Sequence, residues 1–380
     1  MKICCIADLH VGIKSYSQID PETHLYSREI EILNTFRYIV QQCIEQYIPI
    51  LIIAGDIFHT FKPNPNLQDE VNKILYFASS HNLYILILDG NHDKPKLNNS
   101  VSVLKSTDTF HIPNIIHTSQ FLDKEININN DICRFIFLPT YTDNNQIKEL
   151  LDQNLYINND YSNPIIVIGH FTTQGAQLND WLISENEEHI DIHLFDNRNI
   201  NFVVLGHLHK TQILKEKDPI IFYTGSLQRT DFNEENQEKG YYIIDSLTSD
   251  YIFYPIITQK FYTINIKINN DLSVLEQIYS SINQEKIKDA IVRVIIEVNE
   301  DLQLSIEEEN QLKDYLLNLG AYNIISIKQK LITTKKTRNV DFNELLSLDK
   351  ALEIFYKDQT RANERIKLGK QIIKDYYLQK

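Results

Sequence analysis

Polar residues of the kinds that bind metal ions follow five apolar runs of this chain, each at the point where the run ends. The runs are short and rich in Ile, Leu and Val, as in strands that are buried on both faces of a sheet. Because α/β proteins build their sites at the carboxyl ends of strands, we expect these five ends to meet. The segments are Asp8-Leu9-His10, Gly55-Asp56, Gly90-Asn91-His92-Asp93, Gly169-His170 and Gly206-His207-Leu208-His209.

Helical periodicity alternates with the strands over the first part of the chain. Residues 27–47 and 67–80 repeat apolar side chains every three or four positions, and an apolar strand flanks each of these segments. This strand–helix–strand alternation predicts the α/β class and a sandwich of helices and sheets.

The segment Gly206-His207-Leu208-His209 gives the strongest single indication of a metal site. In an extended segment, residues two positions apart point to the same side, so both imidazoles can face one point. Gly206 would allow a sharp turn of the backbone immediately before them. We therefore expect this segment to form one half of a metal site.

The candidate metal ligands combine carboxylates, imidazoles and one amide oxygen. This donor set suits Mn²⁺, Fe²⁺ or Zn²⁺ better than Ca²⁺ or a thiolate-bound ion. With one bridging carboxylate, the set divides into two sites about 3.5–4 Å apart, which can activate water and stabilise an in-line displacement at phosphorus. The candidates are Asp8, His10, Asp56, Asn91, His170, His207 and His209.

Charge and cysteine content limit the class of protein further. The net charge of −14 argues against a general nucleic-acid binder, so a polyanion would have to be held locally. The basic strip 328–338 could contact a DNA backbone or serve as a solvated linker. The 4 cysteines suggest no disulfide framework, and no apolar stretch is long enough to cross a bilayer. We predict a cytoplasmic protein, located in the host cytoplasm if the source is a virus.

The sequence pattern changes near residue 255, and a chain of 380 residues has room for two or three domains. Residues 1–255 form the predicted metal-binding domain. Residues 256–330 predict a separate β-α-β-α-β unit, in which Ser305 and Glu308 resemble a capping box. Residues 331–380 predict a linker followed by two amphipathic helices.

The order of the five polar segments resembles that of the calcineurin-like metallophosphoesterases. Two further features resemble the SbcD-type nuclease subunits of double-strand-break repair complexes: His59, three residues after Asp56, and the segment 223–234. The resemblance rests on motifs over residues 1–255 and on architecture alone over residues 256–380. It implies a four-layer α/β/β/α sandwich with a small α+β capping domain and C-terminal helices.

The resemblance also implies two divalent ions that share Asp56. Mn²⁺ is the expected metal, with Mg²⁺, Fe²⁺ and Zn²⁺ as alternatives. One ion would be bound by Asp8, His10, Asp56 and His209, and the other by Asp56, Asn91, His170 and His207.

Three residues near these ligands would take part in the reaction if the resemblance holds. His92 would stabilise the pentacovalent phosphorus or protonate the leaving oxygen. Asp93 would orient His92, and His59 would contact a phosphate of the nucleic acid. Arg229 has two possible roles, which are to contact phosphate or to hold the loop that contains Asp231 and Glu234.

The function that the resemblance implies is Mn²⁺-dependent exonuclease and endonuclease activity on DNA. The expected partners are an SMC-like ATPase of SbcC type and a second copy of the chain. The terminal helices would bind the ATPase or pack on the core of their own chain. Two alternatives remain: a small-molecule phosphodiesterase or nucleotidase of the same superfamily, and a non-catalytic adaptor that couples an ATPase to DNA.

Overall fold

The structure is a computed structural model in which the chain divides into two compact units, Met1–Lys330 and Leu331–Lys380. It describes residues 1–95, 100–109, 112–155, 162–178, 181–182, 189–268, 273–299, 302–331 and 365–371. In the second unit residues 365–371 are helical, and the rest of the predicted linker and terminal helices lies outside the described residues.

The strands that precede the five polar segments coincide with the apolar runs of the sequence. In chain order the strands are β1 (Lys2–Ile6), β2 (Ile50–Ala54), β3 (Tyr84–Leu88), β4 (Ile115–Thr118), β5 (Leu122–Ile128), β6 (Asp131–Phe137), β7 (Ile165–His170), β8 (Gln177–Leu178), β9 (Trp181–Leu182), β10 (Phe202–Gly206), β11 (Gln212–Glu216), β12 (Ile220–Tyr223), β13 (Gly240–Asp245), β14 (Asp250–Pro255), β15 (Lys260–Lys267), β16 (Ala290–Val298) and β17 (Asn323–Leu331).

Capping side chains mark the start of two of the helices. The side chain of Asn64 accepts a hydrogen bond from the amide of Asn66 just before the helix Pro65–Ser80, and Ser305 and Glu308 form the predicted capping box of the helix Ile306–Asn318. Among the described residues, no helix is both long enough and apolar enough to span a bilayer. The helices are α1 (Ser27–Glu45), α2 (Pro65–Ser80), α3 (Lys105–Thr109), α4 (Asn144–Asn154), α5 (Val274–Ser281), α6 (Gln284–Ile287) and α7 (Ile306–Asn318).

Two six-stranded sheets form the larger part of the first unit. The first has the order β14-β13-β1-β2-β3-β4, and its strands β1 to β4 are parallel. The second has the order β11-β12-β10-β7-β6-β5, and its four central strands are parallel. Within each sheet, therefore, the parallel strands place their carboxyl ends along one edge.

The sheets pack face to face, and helices cover both outer faces. Cys4 packs in the core beneath α1 and α2, whereas its neighbour Cys5 packs between the two sheets. Likewise, Val167 faces the layer that contains α4, and Ile168 faces the other sheet. This alternation confirms the expected four-layer α/β/β/α sandwich.

A small third sheet follows, with the order β15-β16-β17. Together with α5, α6 and α7 it forms the expected β-α-β-α-β unit, to which α6 adds one short helix. Its apolar side chains form a core of their own, which includes Ile278, Val294 and Leu312. Its independence as a domain beginning at residue 256 remains a prediction.

Candidate metal centre

The polar segments that follow β1, β2, β3, β7 and β10 meet at one edge of the sandwich. The amide of Asp8 donates to the carbonyl of Gly55 at 3.0 Å, which joins the ends of β1 and β2. Between the two sheets, the amide of His207 donates to both carboxylate oxygens of Asp8 at 3.0 Å. The structure thus brings all the candidate ligands into one cluster, in which Asp8, His10, Asp56 and His170 are buried and Asn91, His207 and His209 are half-buried.

The backbone adopts a rare conformation at four of these residues. The φ angles are 52° at Asp8, 50° at His10, 53° at Asp56 and 95° at His207. Residues other than glycine seldom have positive φ, and such positions concentrate at functional sites where the surrounding structure holds them. Each of the four is a candidate ligand on the sequence pattern alone.

Gly206 has a different role from the one expected, because the positive φ falls on His207 instead. A Cβ atom at Gly206 would lie 2.0 Å from the carbonyl oxygen of Ala54 and 2.8 Å from the Cβ of Ala7. Glycine is required here because the end of β10 touches the backbone of the opposite sheet. This close approach is what lets ligands from both sheets share one site.

One group of ligand atoms gathers around His10. The Nε2 atoms of His10 and His209 are 2.9 Å apart, and Nε2 of His10 lies 3.8 Å from Oδ2 of Asp56. Ligand atoms of Asp8, His10 and His209 all lie within 4.8 Å of one another. Two nitrogens bound to one ion at right angles would be separated by about 3 Å, so this spacing fits a shared cation.

A second group gathers around the amide of Asn91. Its Oδ1 atom lies 3.1 Å from Nε2 of His170 and 3.0 Å from Nδ1 of His207. Nε2 of His170 is also 3.3 Å from Oδ2 of Asp56. The same carboxylate oxygen of Asp56 therefore adjoins both groups, as a bridging ligand would.

Hydrogen bonds behind two of the imidazoles fix their tautomers. Nδ1 of His170 donates to the carbonyl of Ala54 at 2.8 Å, and Nδ1 of His209 donates to Oε1 of Glu234 at 2.8 Å. With Nδ1 donating outward, each ring turns Nε2 into the centre, where it can bind a metal ion once Nε2 is deprotonated. The donor set thus fits two divalent cations.

Burial and mutual charge perturb the ionisable groups of the centre. Burial raises the pKa of Asp8 to about 6. Burial alone would lower the pKa of His170, but the negative charge of Asp56 raises it to about 9. Burial opposes ionisation of Asp56 as well, yet His170 and His10 outweigh it and hold the pKa of Asp56 below its usual range. The centre therefore favours positive charge beside Asp56.

His92 borders the first group, but Asp93 does not orient it as expected. Nδ1 of His92 lies 2.7 Å from the carbonyl oxygen of His59, so this carbonyl holds the ring. The fully buried carboxylate of Asp93 instead accepts the backbone amides of Ile57, Phe58 and Gly90 at 2.9–3.2 Å. Asp93 consequently joins the turns after β2 and β3. The rings of His59 and His92 are stacked, and their centroids lie 5.6 Å apart.

Comparison with known proteins identifies the fold that carries this centre. The family model for calcineurin-like phosphoesterases matches residues 1–211. The chain belongs to this family. Together with the nuclease relatives described next, the family makes it a metal-dependent phosphodiester hydrolase.

Curated relatives of this phosphoesterase match it over much of its length. It is 25% identical over 381 residues to the SbcD subunit of nuclease SbcCD from Staphylococcus epidermidis, covering 95% of this chain and 94% of the relative. It is 24% identical over 392 residues to DNA double-strand break repair protein Mre11 of Sulfolobus acidocaldarius, covering 94% and 92%. The SbcD subunit of nuclease SbcCD from Escherichia coli is 24% identical over 271 residues, or 64% of each chain.

The phosphoesterase supports His209 with two buried charged residues to which the sequence pattern assigns no role. Glu234 accepts the Nδ1 proton of His209 and lies 2.6 Å from Nζ of Lys239. Lys239 in turn donates to the carbonyl of His209 at 3.0 Å and to Oγ of Ser226 at 2.8 Å. Only 4% of Glu234 and 2% of Lys239 is exposed, so the pair holds His209 from both its ring and its backbone.

The loop that contains Glu234 also contacts the small sheet. Arg229 donates to the carbonyls of Glu234 and Gln237 and to Oγ1 of Thr258, which supports its structural role over phosphate contact. Glu235 accepts the amide of Thr263 in β15 at 3.0 Å. The adjacent residues Glu234 and Glu235 therefore link this loop to the candidate metal ligand His209 and to β15, respectively.

Proposed function

We propose that this phosphoesterase is a two-metal DNA nuclease that cleaves phosphodiester bonds as an exonuclease and an endonuclease. The observation that carries the proposal is Oδ2 of Asp56, which lies 3.8 Å from Nε2 of His10 and 3.3 Å from Nε2 of His170. The names of the relatives, which are nucleases and double-strand-break repair proteins, support DNA as the substrate.

The proposed ligand sets follow the two groups of atoms. Asp8, His10 and His209 would hold one ion, Asn91, His170 and His207 would hold the other, and Asp56 would contribute to both. We propose Mn²⁺ as the metal, since mixed oxygen and imidazole ligands suit it. Bound ions would supply Lewis-acid stabilisation of the charge that develops on the reacting phosphate.

His92 is the proposed general acid of this chain. Its Nδ1 atom faces the carbonyl of His59, a hydrogen-bond acceptor, so the ring has a fixed orientation and can transfer a proton through Nε2. Its ring centroid lies 4.9 Å from that of His10, next to the first ligand group. His59, stacked beside it, is the proposed contact to a phosphate of the DNA backbone.

We also propose that the nuclease works as a homodimer with an SMC-like ATPase of SbcC type. The relatives named as subunits of nuclease SbcCD support assembly with a second protein. Residues 256–330 would restrict access of DNA to the centre, and residues 331–380 would bind the ATPase. Co-purification with the ATPase and light scattering test this, and a chain lacking residues 331–380 should lose the ATPase.

The nuclease activity is tested with Mn²⁺ on linear double-stranded DNA and on bis(p-nitrophenyl) phosphate. Wild-type protein should cleave DNA, and His92→Ala should lower turnover by about 10²–10⁴-fold while retaining Mn²⁺. His193→Ala is the matched control, because the His193 side chain is 73% exposed. Turnover of the simple ester with none on DNA would contradict the nuclease proposal. Wild-type protein that binds Mn²⁺ but cleaves no phosphoester would favour the adaptor alternative.

A further inference from the structure

A large cavity opens on the side of the centre where Asn91, His170 and His207 lie. Its volume is about 800 Å³, within the range of pockets that enclose small organic ligands. A smaller cavity of about 280 Å³ adjoins His59 and His92, and it also contacts Asn91 and His207. The two cavities therefore meet at the ligands, where the scissile phosphate would lie.

Away from the candidate ligands His170 and His207, the lining of the large cavity does not suit a second phosphate. None of the described residues that line it is Lys or Arg. The carboxylate of Asp143 lies there, but it caps α4 by accepting the amide of Gln146 at 2.9 Å. The remaining side chains are mainly amides, hydroxyls and rings, including Asn144, Thr172 and His189. Such a lining fits an uncharged planar group that makes hydrogen bonds.

Hydrogen bonds fix the walls of the cavity before any ligand binds. Asn144 accepts the amide of Asp191 at 2.8 Å and donates to the carbonyl of His189 at 3.0 Å, which joins the start of α4 to the opposite wall. The hydroxyl of Tyr141 lies 3.3 Å from the carbonyl of Asn91 and 3.1 Å from that of Lys94. These contacts hold the Tyr141 ring beside the metal-site turn while 40% of the residue stays exposed.

We propose that this cavity binds a nucleoside attached to the scissile phosphate, with Tyr141 stacking on its base. The inference rests on the proposed nuclease function and adds a subsite to it. A phosphate held at Asn91 and His207 extends one of its substituents into this cavity, where a flat aromatic ring meets amide and hydroxyl groups. Aromatic stacking of this kind accepts any base, because every base has a π face.

The test compares esters that share one leaving group, assayed with Mn²⁺. The substrates are thymidine 5′-(p-nitrophenyl phosphate), thymidine 3′-(p-nitrophenyl phosphate) and methyl p-nitrophenyl phosphate, which has no base. The measured quantity is kcat/KM for each nucleoside ester divided by kcat/KM for the methyl ester. Tyr141→Ala should lower this ratio about tenfold for at least one nucleoside ester, the effect of one lost base stack.

Two further variants separate stacking from support of the metal-site turn. Tyr141→Phe keeps the ring and removes the hydroxyl contacts to Asn91 and Lys94, so the ratio should be retained. Tyr76→Ala, which removes a tyrosine that is 64% exposed on α2, should also retain it. An equal loss on all three esters in Tyr141→Ala would overturn the subsite.

The outcomes also separate the subsite from the nuclease proposal. Wild-type protein that prefers neither nucleoside ester over the methyl ester would overturn the subsite, whether or not it cleaves DNA. Wild-type protein that prefers a nucleoside ester through Tyr141 but leaves DNA intact would contradict the nuclease proposal and support the subsite.

Discussion

Replacing Glu234 by Gln should weaken metal binding although Glu234 belongs to neither proposed ligand set. The carboxylate accepts the Nδ1 proton of His209 at 2.8 Å and pairs with Lys239 at 2.6 Å. Glutamine keeps the size of the side chain but removes its negative charge. The amide oxygen of glutamine can still accept from Nδ1, but the His209 ring loses the charged partner that raises the basicity of its Nε2 atom.

Two magnitudes follow from these contacts. Loss of such a partner behind a metal-binding histidine typically lowers metal affinity by about 10- to 100-fold. Breaking a buried ion pair typically costs about 3–5 kcal/mol, and we expect the lower end, about 3 kcal/mol. The lower end applies because Lys239 keeps acceptors on His209, Ser226 and Gln237.

Calorimetric titration of metal-free protein with Mn²⁺ measures the first effect, and urea unfolding in EDTA measures the second. Glu235→Gln is the matched control, since this neighbouring carboxylate contacts Thr263 in β15. The control should retain the Mn²⁺ affinities of the wild type. A folded Glu234→Gln protein that binds Mn²⁺ as tightly as the wild type at both sites would refute the role given to Glu234.

Three further predictions address packing, thiol reactivity and metal removal. Gly206→Ala should reduce the free energy of unfolding, measured in urea, by about 1–3 kcal/mol, because the added Cβ would lie 2.0 Å from the carbonyl oxygen of Ala54. An unchanged free energy of unfolding would contradict the close approach of the two sheets. All cysteines are buried, and burial raises the pKa of Cys133 to about 12. Folded protein should therefore stay unreactive towards Ellman's reagent when the pH is raised from about 7 to 9, whereas unfolded protein should expose 4 thiols. Rapid labelling of the folded state would contradict the layered core. Chelation of Mn²⁺ should lower the thermal midpoint, since an ion at a hundred times its Kd stabilises the fold by about 2.7 kcal/mol per site; an unchanged midpoint would show that metal does not bind this cluster.

Much of the centre could be predicted because its determinants are local in sequence. Strands such as β2 are apolar throughout, and the candidate ligand Asp56 directly follows the Gly55 that ends this run. Parallel pairing then places such ends at a common edge without any further information. The same reasoning applies to Cys4 and Cys5, whose opposite orientations follow from the two-residue period of a strand.

The contacts between elements could not be predicted from the sequence. Residue 206 must be glycine because a Cβ there would clash with Ala54, a residue of the other sheet. The expectation of a turn at this glycine, drawn from the local sequence, is therefore wrong. Asp93 follows His92 directly, which suggests a contact, yet its carboxylate turns towards the amides of Ile57 and Phe58. The sequence places Glu234 only in a loop, because no ligand spacing relates it to His209. Lys239, an opposite charge five residues later, could have suggested that Glu234 is buried in an ion pair.

We propose that His207 and His209 bind different ions although one residue separates them. His207 adjoins Asn91 at 3.0 Å, whereas His209 adjoins His10 at 2.9 Å. The direct test is the number of Mn²⁺ ions bound per chain by wild type, His207→Ala and His209→Ala, measured by titration calorimetry. We predict two ions for the wild type, one for each variant with the other site retained, and no DNA cleavage by either variant. A variant that keeps both ions, or loss of the same site in both variants, would contradict this assignment of the two histidines.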